Sequence, residues 1–191
     1  MSDLTPEVLL PLLRGRLGRP YTFVAECEST QRLLGSAEPE GATVATDLQT
    51  QGRGRLGRTW LAPPGRALLF SVVLRPALPT VRWPELSVLA GEAVAAALPL
   101  EATVSHPNDV FVDGRKIAGI LPEASDPRVV LGIGVNVNQV AAELPADTAK
   151  PPTSIRIEAG RELERAPLLA AILEELERRY DAWLSRDTAR S

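Results

Sequence analysis

Asp113-Gly114, set between the apolar runs DVFV and RKIAGIL, constrains this chain more than any other pair of residues. A two-residue Asp-Gly link needs left-handed backbone at both positions and matches the twist of paired strands. The flanking runs must therefore pair antiparallel. A third run, RVVLGIGVNVN (128–138), follows through the turn residues Ser125, Asp126 and Pro127. ALLFSVVLRP (67–76) reads as a buried strand, and YTFVAE (21–26) and ATVATD (42–47) as two more, with a helix at about 30–37 between them.

Helical spacing marks the two ends and one middle segment. Residues 4–15 read as a short helix, capped by Thr5 and with Pro6 in its first turn, whose face carries Val8, Leu9, Leu12 and Leu13. WPELSVLAGEAVAAAL (83–98) is an alanine-rich helix starting near Trp83-Pro84. APLLAAILEELERRYDAWL (166–184) keeps Leu169, Ile172, Leu173, Leu176, Tyr180 and Trp183 on one stripe. Residues 139–153 hold Pro145, Pro151 and Pro152 and receive no regular structure. The sum is an α+β chain: a central mixed or antiparallel sheet flanked by helices, one domain over 1–191, without repeat or linker.

Composition narrows the function classes. No apolar run approaches the ~18 residues of a membrane span, and the N-terminus lacks the charged start of a secretory signal. Cys27 is the single cysteine, so no intrachain disulfide forms and a cytoplasmic setting is expected. A net charge of −3 argues against a general nucleic-acid coat. Of the 21 basic residues only Lys116 and Lys150 are lysine.

Positive charge is focused in TQGRGRLGRTW (50–60), where Arg53, Arg55 and Arg58 alternate with glycines. Gly52, Gly54 and Gly57 spell the dinucleotide fingerprint, but Pro63 and Pro64 forbid the long helix that should follow it. No Gly-Lys-Ser/Thr follows either, so a phosphate-binding P-loop is excluded. What remains is a loop whose glycines let backbone approach a ligand and whose arginines suit carboxylate or phosphate. Trp60 adds a flat face for stacking. A solvated basic loop is the bland alternative.

Four further blocks surround this loop: Ser29-Thr30-Gln31 after a strand, HPND (106–109), GRKIAGIL (114–121) and GIGVN (132–136). In this order and at these distances, over roughly residues 20–185, they resemble the catalytic domain of biotin–protein ligases. The resemblance implies the fold of that biotin/lipoyl ligase catalytic domain. It implies that biotin and ATP, with Mg²⁺ carried by ATP and no metal held by protein alone, give biotinyl-5′-AMP and pyrophosphate. Biotin then passes to a lysine of a biotin carboxyl carrier protein domain. It places Ser29, Thr30, Gln31, Gln49, Arg53, Gly54, Arg55 and Lys116 around biotin. It places Arg53, Arg55, Trp60, Asn108, Asp109, Lys116 and Asn136 around ATP or the adenylate, with Trp60 on adenine and Asn136 at the adenine edge. Lys116 and Arg53 become the catalytic cations. Without the resemblance, Ser29-Thr30 reads as a helix N-cap, Asn136 as a strand-end turn and Lys116 as a surface lysine.

The chain departs from the family pattern in places. Ser105-His106 stands where the family has Lys-Trp, and His106 is expected as a flat ring in a packed spot. Gln31 replaces an asparagine. Pro122 precedes Glu123 and predicts that its strand ends there. Neither the DNA-binding domain nor the small C-terminal β-domain of many members is legible, so no DNA partner is expected, while a homodimer is. Two other readings stay open: a lipoate–protein ligase-like acyl transferase, and a degenerate biotin- or nucleotide-binding module without catalysis.

Overall fold

The computed structural model describes residues 2–125, 127–146, 148 and 150–188, the last two of these by backbone alone. Asp126 of the expected turn lies outside the described residues. Seven strands form one sheet: β1 (Tyr21–Cys27), β2 (Thr43–Gln49), β3 (Ala67–Leu74), β4 (Thr103–Ser105), β5 (Asp109–Val112), β6 (Arg115–Ser125) and β7 (Arg128–Asn136). Their order is β1-β2-β3-β7-β6-β5-β4. β1 and β2 run parallel and every other pair is antiparallel, so the sheet is mixed. Asp113 and Gly114 take φ of 48° and 73°, the left-handed pair that the hairpin demands.

The sheet's two faces do different work. On one, Leu68, Phe70, Val72 and Leu74 of β3 join Val129, Leu131, Ile133 and Val135 of β7 in the main core. Helices α3 (Glu85–Ala97) and α5 (Arg165–Thr188) cover that face. Burying such side chains contributes about 1.5–3 kcal/mol each. On the other face register aligns one row across six strands: Thr46, Leu69, Gly134, Gly119, Asp109 and Ser105. A neighbouring row places Ser71 and Leu121 on either side of Gly132. Small and polar residues thus replace core residues over the middle of this face, leaving a shallow floor.

Several elements differ from the sequence reading. The N-terminal helix is only α1 (Pro6–Leu9) with a 3-10 turn at Leu10–Leu12. Pro11 lacks the N–H that would continue it. Leu9 and Leu13 are buried while Val8 and Leu12 stay exposed, and Thr5 makes no side-chain cap. The helix after β1 is one turn, α2 (Thr30–Leu33), stopped ahead of Gly35. Pro122 does not end its strand: it pairs with Leu131 inside β6, which runs to Ser125. β5 pairs with β6 only as far as Gly119, so the strand has an open edge where a missing N–H is tolerated. β4 and the short helix α4 (Ile155–Ala159), capped by Ser154, carried too few residues to show as periodic patterns. His106 is exposed, not packed. Among the described residues no helix is long and apolar enough to cross a membrane.

Candidate active site

The arginine-glycine segment is a small hairpin laid over the glycine floor. Trp60 N donates to Gly52 O (2.9 Å), Gly54 N to Arg58 O (2.7 Å), and Arg53 pairs with Thr59 between them. Leu56 and Gly57 at the tip take φ of 57° and 73°. Gly52 is required by contact: a Cβ there would stand 2.3 Å from Trp60 O. The Trp60 ring lies across Gly119 and Gly134, where added Cβ atoms would approach it to 3.0 and 2.7 Å. Its Nε1 is buried and has no hydrogen-bond partner among the described residues.

Two cavities flank Trp60. The smaller, about 50 Å³, is lined by all eight residues expected around biotin: Ser29, Thr30, Gln31, Gln49, Arg53, Gly54, Arg55 and Lys116. Its far end is neutral and polar. Gln49 Oε1 accepts from Thr30 N (2.9 Å) and Thr30 Oγ1 (3.1 Å), and Thr30 Oγ1 shares a 2.7 Å bond with Ser71 Oγ. Gln31 Nε2 donates to Leu121 O at 3.0 Å, and the side chain lies over Gly132. Ser29 occupies the N-cap position of α2 but makes no side-chain cap bond.

The larger cavity, about 230 Å³, is lined by Arg55, Trp60, Asn108, Asp109, Lys116 and Asn136, together with Arg58 and Lys150. Arg53 does not reach it: its guanidinium is 2.7 Å from Glu123, beside the smaller cavity. The expected double role of Arg53 is thus divided in this geometry, because the hairpin register turns it toward β6. Arg55 donates to Asn108 Oδ1 (3.0 Å), whose Nδ2 donates to Ile120 O (3.0 Å). Asn136 is 6% exposed, donating to Thr153 O (2.9 Å) and accepting from Gln139 Nε2 (2.8 Å), so its side chain holds the 153 segment in place.

Lys116 lines both cavities. Its Nζ is 2.8 Å from Asp109 Oδ1 and 5.6 Å from the Trp60 ring centroid. Burial by itself pushes the Asp109 carboxyl up, but hydrogen bonds and charge from Lys116, then Lys150, outweigh it and hold the group below its ordinary value. Among the described residues no group of three or more His, Cys, Asp or Glu side chains converges to hold a metal.

A model of the biotin/lipoate A/B protein ligase family matches residues 24–139. The chain belongs to the biotin/lipoate A/B protein ligase family. Among its relatives, the bifunctional ligase/repressor BirA of Bacillus spizizenii is 34% identical over 192 residues, covering 94% of this chain and 59% of its own length. The biotin–[acetyl-CoA-carboxylase] ligase of Mycobacterium tuberculosis is 35% identical over 178 residues, covering 86% of this chain and 65% of its own. This chain therefore spans about three-fifths of the length of those relatives. The biotin protein ligase of Aquifex aeolicus in complex with biotin and ATP matches with a TM-score of 0.75 and 29% identity, over 87% of this chain and 72% of that one. The seven-stranded sheet and its helices are those of the biotin protein ligase catalytic domain.

Within that family fold, the residues that reading by sequence missed are partners and floor. Ser71 acts as a hydrogen-bond partner of Thr30, and nothing in the linear sequence sets it apart. Gly119, Gly132 and Gly134 form the floor, and their signal was present: alternate glycines in G-I-G share one face of a strand. Lys150, one of two lysines, stood in a segment read as structureless.

Proposed function

We propose that this chain activates biotin with ATP and transfers it to a carrier protein. In the first step a biotin carboxylate oxygen attacks the α-phosphorus, the bond to the bridging oxygen breaks, and pyrophosphate leaves. In the second, the amine of a carrier lysine attacks the acyl carbon, loses a proton, and AMP leaves with the electrons of the broken acyl–phosphate bond. The expected acceptor is a biotin carboxyl carrier protein domain.

The observation that carries this reading is the place of Lys116, which lines both cavities. A neutral polar pocket on one side suits a ureido ring. The Thr30–Gln49–Ser71 network offers hydroxyl and amide groups and no full charge. A cationic cavity on the other side suits a nucleotide. The two anions that must react, carboxylate and α-phosphate, meet beside one ammonium group. Lys116 screens their repulsion and stabilises charge developing at phosphorus. Arg55, fixed by Asn108, presents a second cation from the loop. Among the described residues Asp109 is the one carboxylate that lines either cavity, and both lysines already occupy it. The donor set thus fits a magnesium ion arriving with the triphosphate, which would neutralise phosphate charge, rather than one held by the chain.

The smaller cavity has room for a few waters only. Seating a bicyclic ring therefore requires the lining to open. Incubation with biotin and Mg-ATP, followed by mass spectrometry, should show biotinyl-5′-AMP together with pyrophosphate. No adenylate with both substrates present would sink the proposal and leave a binding module. The family also includes lipoate ligases. The hydrogen-bonding far end favours biotin, because a dithiolane makes no such bonds. Lipoate should then fail to compete at concentrations where desthiobiotin does.

A further inference from the structure

The chain's two lysines are far apart in sequence and meet on one carboxylate. Lys116 Nζ is 2.8 Å from Asp109 Oδ1, and Lys150 Nζ is 3.1 Å from Oδ2. The segment that carries Lys150 is tied to β6. Lys116 N donates to Pro151 O and Thr153 N donates to Lys116 O, each at 2.8 Å, with a parallel bridge between Lys116 and Pro152. Lys150 thus sits next to an anchored rung. Its ammonium also lies 4.8 Å from the centroid of Phe111.

One carboxylate cannot neutralise two ammonium groups, so the cluster keeps a positive excess. It faces the larger cavity, which Lys150 lines and which Arg55 and Arg58 also line. Lys150 is absent from the smaller cavity, whereas Lys116 borders both. Lys116 is therefore placed for the α-phosphate and Lys150 for what lies beyond it. We infer that Lys150 is a second substrate-binding cation: it holds Asp109 while the site is empty and takes the outer phosphates of ATP when they arrive. The inference rests on the ligase reading above. A compact ammonium suits this exchange better than a guanidinium. It rotates freely and needs no planar partner, and the chain uses arginine at 19 of its 21 basic positions. The Lys150 side chain is 44% exposed, so its head moves from carboxylate to phosphate without leaving solvent. Phe111 gives the ammonium a ring face to rest against while the site is empty.

Titration calorimetry on the whole chain tests this with Mg-ATP, AMP and biotin as probes. Lys150→Met keeps an apolar stem beside Phe111 and removes the charge. It should weaken Mg-ATP about tenfold, as loss of one charged hydrogen bond does. AMP and biotin affinities should stay within about twofold of the parent, and Lys150→Arg should recover part of the loss. Thermal melting of both variants confirms folding. Equal weakening of ATP and AMP, or no change in either, overturns the inference and leaves Lys150 as a structural partner of Asp109. The ligase reading fails separately: a parent chain that binds ATP yet makes no biotinyl-adenylate refutes that reading while leaving the ATP-over-AMP effect of Lys150 intact.

Discussion

Gly134→Ala is a one-carbon test of whether the glycine floor serves the site. A methyl group on Gly134 would stand 2.7 Å from Trp60 Cε2, 2.9 Å from Cζ2 and 3.1 Å from Nε1. Carbon atoms rest at about 3.5–4.0 Å, so the indole must retreat by roughly 1 Å. The strand cannot give instead, since β7 is bonded to β3 on one side and β6 on the other. Overpacking of this kind costs about 1–3 kcal/mol. The methyl leaves the main core untouched, because Gly134 faces the site. The hairpin can also relieve the clash by swinging out, so thermal stability should change by no more than a few degrees. Where ligand binding needs a seated Trp60, the same cost appears as a loss of affinity. It should amount to roughly 5- to 150-fold for Mg-ATP. Calorimetry measures that loss, and the tryptophan emission should shift red as the indole leaves its half-buried seat. Gly119→Ala is the graded comparison: its methyl would meet Trp60 Cζ3 at 3.0 Å and Lys116 Nζ at 3.4 Å, so its effect should be smaller. Parent-like ATP affinity in Gly134→Ala, with unshifted emission, would refute the view that the close fit of Trp60 on glycine shapes the site.

Lys116→Ala should cut the single-turnover rate of adenylate formation by at least about tenfold, the scale of a charged hydrogen bond, while biotin binding falls less; Lys116→Arg should recover only part, and a parent-like rate in Lys116→Ala would make it a surface lysine. Arg55→Gly removes the fork fixed by Asn108, so pre-formed biotinyl-adenylate should dissociate faster in a filter-retention assay; an unchanged half-life would deny Arg55 any grip on the phosphate. Asp109 titrates below its ordinary value of 3.8, so its support of the fold is complete above that pH and fades as pH falls through the lower, folded value. In a Lys116→Met, Lys150→Met double variant only the upward push of burial remains; carboxyl NMR should place Asp109 above its ordinary value, and a still-depressed value would point to another cation. Ser105→Lys would add a third cation across the ladder from Asp109, which two lysines already occupy, so the Michaelis constant for ATP should change by less than about threefold; a large drop would show that the cluster lacks charge.

The sheet was legible because its signals are local and strong. Asp113-Gly114 fixed one hairpin, and a run at 67–74 that is apolar except for Ser71 matches a strand whose residues are buried on both faces. Short elements escaped, since three residues of β4 or five of α4 are too few to show a period. Pro122 misled because the rule against proline holds for a strand paired on both sides, and pairing is a property of neighbours. The site shows the same division. The loop could be read as an anion holder from the chemistry of arginine and glycine alone. Which cation serves which anion depends on strand register: Arg53 points to Glu123 while Arg55 points to Asn108, two residues further along the same hairpin. Lys150 shows most plainly what a linear reading omits. It follows a stretch without periodic pattern, and its meaning comes from Pro151 and Thr153, whose backbone bonds to Lys116 set their segment against β6. That rung brings the second lysine to the carboxylate already held by the first. A site cation can therefore come from a segment that sequence periodicity leaves blank, provided a strand edge nearby has a free N–H and C=O to hold it.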